Sequence, residues 1–234
     1  MPEEINRIIV DHISDILLAP TKIAEQNLLN EGIHRDKIYV VGNIIVDYIK
    51  QNLEIAESKS KILKKLKLEK EKYFLLTIHR AENVDYKERL EDILKGIKLI
   101  KEKFPDYRII FPIHPRTRKN IENFNLKSYI EDIELIEPVG YLDFLILEKN
   151  ARLILTDSGG VQEEACVLRV PTVTIRTETE RPETIEVGAN IVSTRNPDNI
   201  LKSVEIMLNR DRNWINPYGK NVTEKILDII QDVR

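Results

Sequence analysis

Apolar residues in this chain fall into short unbroken runs, separated by stretches in which they recur every three or four positions. The runs predict strands buried on both faces, at Ile16–Ala19, Ile38–Val41, Phe74–Ile78, Ile109–Ile113, Ile133–Ile136, Leu153–Thr156, Thr172–Ile175 and Ile191–Val192. The clearest periodic stretch is Tyr86 to Phe104, where Leu90, Ile93, Leu94, Ile97 and Ile100 share one helix face. Further helices are predicted over Ile44–Leu66, Val161–Leu168, Asp198–Asn209 and Val222–Val233. Strands alternating with helices imply an α/β fold, a doubly wound parallel sheet with helices on both faces.

The opening segment is thinner. Pro2-Glu3-Glu4 predicts a first helical turn, and Ile5, Ile8, Ile9 and His12 follow at helical spacing. Thr21 caps a helix through Leu29 that Gly32 closes, between the first two strands. Two strands are too few for a sheet, so residues 1–43 are expected to be the tail of an N-terminal domain. Residues 44–212 then form the main α/β domain, and 213–234 a C-terminal helix packing towards the first.

Ligands of such sheets bind beyond the carboxyl ends of the strands. One stretch there is distinctive: Thr156-Asp157-Ser158-Gly159-Gly160-Val161-Gln162-Glu163-Glu164, after the run Arg152–Leu155. Strand, tight polar turn and helix N-terminus leave backbone N–H groups aimed at an anion. Ser158 can cap the helix, and Gly159 and Gly160 let a phosphate approach the backbone. Ser-Gly-Gly alone is an ordinary capped turn; the whole nonapeptide behind a buried strand points to a nucleotide. Glu163 and Glu164 add acceptors for sugar hydroxyls.

Other strand ends carry His79-Arg80, His114-Pro115-Arg116 and Arg176, which can converge on the same rim. His79-Arg80-Ala81-Glu82-Asn83 is either an exposed polar loop or a histidine that moves protons or stabilises a departing phosphate. His114 is expected to be a structural turn residue. Arg176 to Glu183 is a surface ion-pair cluster or a phosphate clamp, a task for which a guanidinium fork is suited.

Charge narrows the partners. With 36 basic and 39 acidic residues the net charge is −3, so no basic field announces a nucleic acid. No run approaches the roughly 20 apolar residues that span a bilayer, and no signal peptide opens the chain. A lone Cys166 fits packing in a reducing cytoplasm. No Cys/His cluster suggests a metal, and no Gly-x-Gly-x-x-Gly suggests a tightly bound dinucleotide. Lys, Glu and Ile enrichment hints at a thermophile.

Four blocks, Pro2–Arg7, Thr77–Asn83, Thr156–Glu164 and Arg176–Glu183, together resemble the UDP-N-acetylglucosamine 2-epimerases of the non-hydrolysing type, aligned with the C-terminal two-thirds of the family's chains. The resemblance implies a Rossmann-like domain, the C-terminal half of a GT-B-like pair, with a remnant of the first domain ahead of it. It implies an isomerase that interconverts UDP-N-acetylglucosamine and UDP-N-acetylmannosamine by eliminating and re-adding UDP, without an added cofactor. Glu3 and His79 would be catalytic; Ser158, Gly159, Gly160 and Arg181 would hold the diphosphate, and Glu164 the ribose. Backbone near Val139 and the ring of Phe144 would hold the uracil, although core packing alone also accounts for Phe144. Full-length members are expected to be homodimers, and this chain alone to bind UDP without turnover. A GT-B glycosyltransferase and a non-catalytic nucleotide-binding or regulatory domain are the alternatives.

Overall fold

The computed structural model describes residues 2–232, with side chains from Glu4 to Asp232; the side chain of Glu3 therefore lies outside the described residues. The chain divides into two units, Met1–Lys50 with Asn216–Arg234, and Gln51–Ile215.

In the first unit, β1 (Leu17–Ala19) and β2 (Ile38–Val40) pair in parallel, Leu17 opposite Ile38. Helix Lys22–Asn30 connects them, and the Thr21 side chain caps it by accepting from the Ala24 N–H at 3.2 Å. A small core of Leu17, Ala19, Ile33 and Ile38 lies beneath. Gly42 has φ +102°, and a Cβ there would stand 2.4 Å from the Tyr218 carbonyl oxygen. Only glycine allows that close approach between the end of β2 and the C-terminal segment.

The second unit carries β3 (Tyr73–Thr77), β4 (Arg108–Pro112), β5 (Glu134–Ile136), β6 (Leu153–Thr156), β7 (Thr172–Thr174) and β8 (Asn190–Val192). They form one parallel sheet in the order β5-β4-β3-β6-β7-β8. This is Rossmann order, reversing direction between β3 and β6, where ligands of such folds bind. Side chains alternate along each strand. Phe74, Leu76 and Ile78 join Ile93, Leu94 and Ile97 of helix Lys87–Lys103 and Ile200 and Val204 of helix Pro197–Leu208 in one core. Tyr73, on the alternate phase, donates its hydroxyl to the Leu147 carbonyl at 2.6 Å.

The expected continuous helix over Ile44–Leu66 is instead two, Ile45–Lys59 and Ile62–Lys65. Ser60 separates them: its hydroxyl accepts from the Ile62 N–H and donates to Asp143 at 2.5 Å. A serine that bonds locally competes with the helix ladder.

Candidate functional site

At the reversal point the last residues of β3 and β6 lie side by side, Thr77 opposite Thr156, and their hydroxyls bond at 2.6 Å. Asp157 follows directly and is fully buried. Its carboxylate accepts from the His79 N–H (3.1 Å), the Arg80 N–H (2.9 Å) and the Asn83 amide (3.0 Å). His79 Nδ1 lies 3.1 Å from Asp157 Oδ1. A carboxylate there accepts the Nδ1–H and leaves Nε2 facing away from it. One buried acid thus ties the loop after β3 to the turn after β6 and orients the imidazole. The residues alone carried no signal for that role.

His79, Val139, Phe144 and Ser158 line one cavity of about 220 Å³, together with His114 and Val161. Most of its lining is apolar, suited to a flat ring with few polar anchors. His114 is the turn histidine expected, its Nδ1 accepting from the Arg116 N–H at 3.1 Å as the cap of helix Pro115–Asn123. It also lines the cavity, its ring centroid 6.0 Å from that of His79, in keeping with its place at a strand end on the same rim.

Helix Gly159–Leu168 begins two residues earlier than periodicity predicts. Ser158 occupies its N-cap position, but the expected capping bond from its hydroxyl does not form. Thr156 Oγ1 instead accepts the Ser158 N–H at 3.0 Å, so the turn is fixed without the serine side chain. A Cβ on Gly159 would stand 3.7 Å from Arg181 Nη2 and 3.9 Å from Arg80 Nη2. Two guanidinium groups therefore flank a helix N-terminus, an arrangement favourable to an anion.

Arg181 is held by an ion pair from Nε to Glu163 Oε1 at 2.5 Å. Its loop is tied to the glycine-turn helix through Thr179, whose hydroxyl bonds Gln162 Oε1 at 2.5 Å. Arg176 does follow a strand end and meets the rim loop through Glu82, but it is taken up by carboxylates there. It is buried, donating to Glu180 at 2.6 and 2.9 Å and to Glu82 at 3.1 Å. Those bonds hold the Glu180 carboxyl below its ordinary range. A cation this buried is retained beside its carboxylates rather than offered to solvent.

Glu164, half-buried on the same helix, adjoins Glu148 and Tyr141 of helix Tyr141–Asn150, and burial raises its carboxyl above the usual range. Cys166 is buried, its thiol pushed up to about 12 by burial, as suits packing. Among the described residues no His/Cys/Asp/Glu group could hold a metal ion.

The fold and this rim define a Rossmann-like α/β domain with its polar loops gathered where the strand order reverses. A family model described as UDP-N-acetylglucosamine 2-epimerase matches residues 1–231, and the chain belongs to that family. It is 57% identical to the UDP-N-acetylglucosamine 2-epimerase of Methanocaldococcus jannaschii over 98% of this chain and 64% of that protein. The crystal structure of the M. jannaschii enzyme in complex with UDP-GlcNAc and UDP superposes with a TM-score of 0.89, covering 99% of this chain and 65% of that one. The Neisseria meningitidis enzyme bound to UDP-GlcNAc, 33% identical, gives 0.87 over 99% of this chain and 65% of that one. The chain thus spans less than two-thirds of the length of these relatives.

Proposed function

We propose that this chain holds the UDP portion of UDP-N-acetylglucosamine and serves its interconversion with UDP-N-acetylmannosamine. The observation that carries the reading is the meeting of a mostly apolar cavity with a glycine-turn helix N-terminus flanked by Arg80 and Arg181. Uracil occupies the cavity beside Val139 and Phe144; the diphosphate lies at Ser158, Gly159 and Gly160; Glu164 accepts from the ribose hydroxyls.

The C2 proton of the sugar is weakly acidic, because the amide nitrogen on C2 gives its carbanion no carbonyl conjugation. Elimination avoids that carbanion. A carboxylate, with Glu3 among the candidates, takes the C2 proton as the C1–O bond to UDP breaks. The C–H electron pair becomes the C1=C2 double bond, and the C1–O pair leaves with UDP. Re-addition of UDP at C1 with protonation of C2 on the opposite face gives the epimer. His79, oriented by Asp157, and the two guanidinium groups stabilise charge on the departing diphosphate. The same groups retain UDP for its return, an entropic advantage over free encounter.

In this reading residues 44–212 are the UDP-binding half of a GT-B-like pair of the non-hydrolysing type. Residues 1–43 are a remnant of the other half, and 213–234 a helix that packs towards it. The full-length protein is a cytoplasmic homodimer, and the chain alone binds UDP without turnover, because further catalytic carboxylates belong to the other half.

Two measurements test this. Glu164→Ala should weaken UDP binding by about 1.5–3 kcal/mol, the loss for hydrogen bonds to a charged group; equal affinity by calorimetry refutes the ribose assignment. In deuterated water with UDP-N-acetylglucosamine, the chain alone should leave C2 unlabelled by NMR, and rapid labelling would overturn the division of labour.

A further inference from the structure

Glu148 is fully buried, and neither of its carboxyl oxygens meets hydrogen-bond geometry with a donor in the surrounding core. Nothing in the epimerisation chemistry uses it. The polar group acting on it is Glu164, across the packed helices Tyr141–Asn150 and Gly159–Leu168. Tyr141 lies seven positions before Glu148, two turns along its helix, and also bonds Glu164. A fully buried carboxylate without a cation is too costly to persist, and two adjacent carboxylates cannot both ionise. The more buried one keeps the proton.

We infer that Glu148 is a positioning residue for the ribose site: its protonated carboxyl donates to Glu164 and holds the Glu164 carboxylate as an aimed, ionised acceptor for the ribose hydroxyls. The inference rests on the ribose assignment proposed above. It explains a polar residue in the otherwise apolar stretch Leu145-Ile146-Leu147-Glu148. Burial and the neighbouring Glu164 both push the Glu148 carboxyl well above the usual range, consistent with a retained proton.

The surroundings offer no competing charge. Helix Gly159–Leu168 presents Glu163 besides Glu164, and Glu163 is paired with Arg181. From β3 comes Tyr73, whose hydroxyl is committed to the Leu147 carbonyl and is raised by burial. On the short helix Ile62–Lys65, Lys64 and Lys65 are exposed. On its own helix, Asp143 is bonded to Ser60 and Lys149 pairs with Glu57. Glu148 and Glu164 therefore share one proton as a pair. Raising the pH strips it, the two charges repel, and UDP affinity falls.

The test is calorimetry of UDP binding to the chain across an alkaline pH range, in buffers of differing ionisation heat. Glu148→Met should fold, bind UDP about tenfold more weakly, the loss of one charged hydrogen bond, and lose the alkaline fall in affinity. Glu148→Gln, whose amide is a permanent donor, should rescue neutral-pH affinity while abolishing both the alkaline fall and the proton uptake that accompanies binding to the parent there. Glu164→Ala separates the two claims. If it weakens UDP while Glu148→Met binds like the parent with the same pH profile, Glu148 has no positioning role. If Glu164→Ala itself binds like the parent, the ribose assignment falls and this inference with it.

Discussion

The two units use one local grammar, a parallel strand–helix–strand, with different outcomes. In the second unit Tyr73, Phe74, Leu75 and Leu76 are all 0% exposed, because each face of β3 is covered and both its edges are paired. In the first, two strands of three residues pair with each other alone, and helix Pro2–Ile13 leaves Ile9 52% and Ile13 74% exposed. Parallel pairing stabilises a strand only when both faces are buried. Arg7, ion-paired with Glu4, Asp11 and Glu31, adds little at such exposure. Site precision follows the same division: residues aimed to within a few tenths of an ångström need a sheet that does not move.

Asp157→Ala should break the second unit most severely. It orphans the His79 and Arg80 amides and the Asn83 side chain, so a loss of about 3–5 kcal/mol in denaturant melts is expected, with UDP binding abolished. A milder loss would mean the reversal point is held elsewhere. Gly42→Ala strikes the first unit, where the new Cβ meets the Tyr218 backbone; about 2 kcal/mol or more should be lost while UDP affinity in folded protein stays unchanged. A parallel fall in affinity would erase the contrast between the units.

Glu148→Met sharpens it through pH. The native carboxyl is raised, so between the unfolded and folded pKa values the native state binds more protons and the parent's stability falls as pH rises. The variant's advantage over the parent should therefore grow with rising pH up to pH 8, and level off below about pH 4, where the carboxyl is protonated in both states. A constant difference would mean packing alone is at work. Gly160→Ala should have the smallest effect: nothing lies within 4 Å of its Cβ position, so helix stability rises by about 0.5–1 kcal/mol while a bound phosphate is crowded. Unchanged UDP affinity would leave Gly160 outside the phosphate site.

The sheet was legible because strands buried on both faces are written as continuous apolar runs, and the glycine turn because its residue types suit so few conformations. Strand ends were over-read: Ile78, Ile113 and Ile175 are apolar and buried, yet lie in the loops beyond the ladder. The site was less legible where function depends on distance in sequence. Asp157 finds its partners 74 to 78 positions away across the β3–β6 pair. Arg176 and Arg181 have equal claims as cations; Glu82 and Glu180 claim the first, leaving the second beside Gly159. Glu148 sits in a helix whose apolar residues favour no one face, so periodicity says nothing of what it meets.

The central claim is that the second unit holds the nucleotide where its strand order reverses. Hydrogen-exchange mass spectrometry with and without UDP tests it directly. UDP should slow exchange in peptides covering 77–83, 138–144 and 156–164, and leave peptides within 4–31 unchanged. Protection confined to 4–31, or none at saturating UDP, would contradict the account.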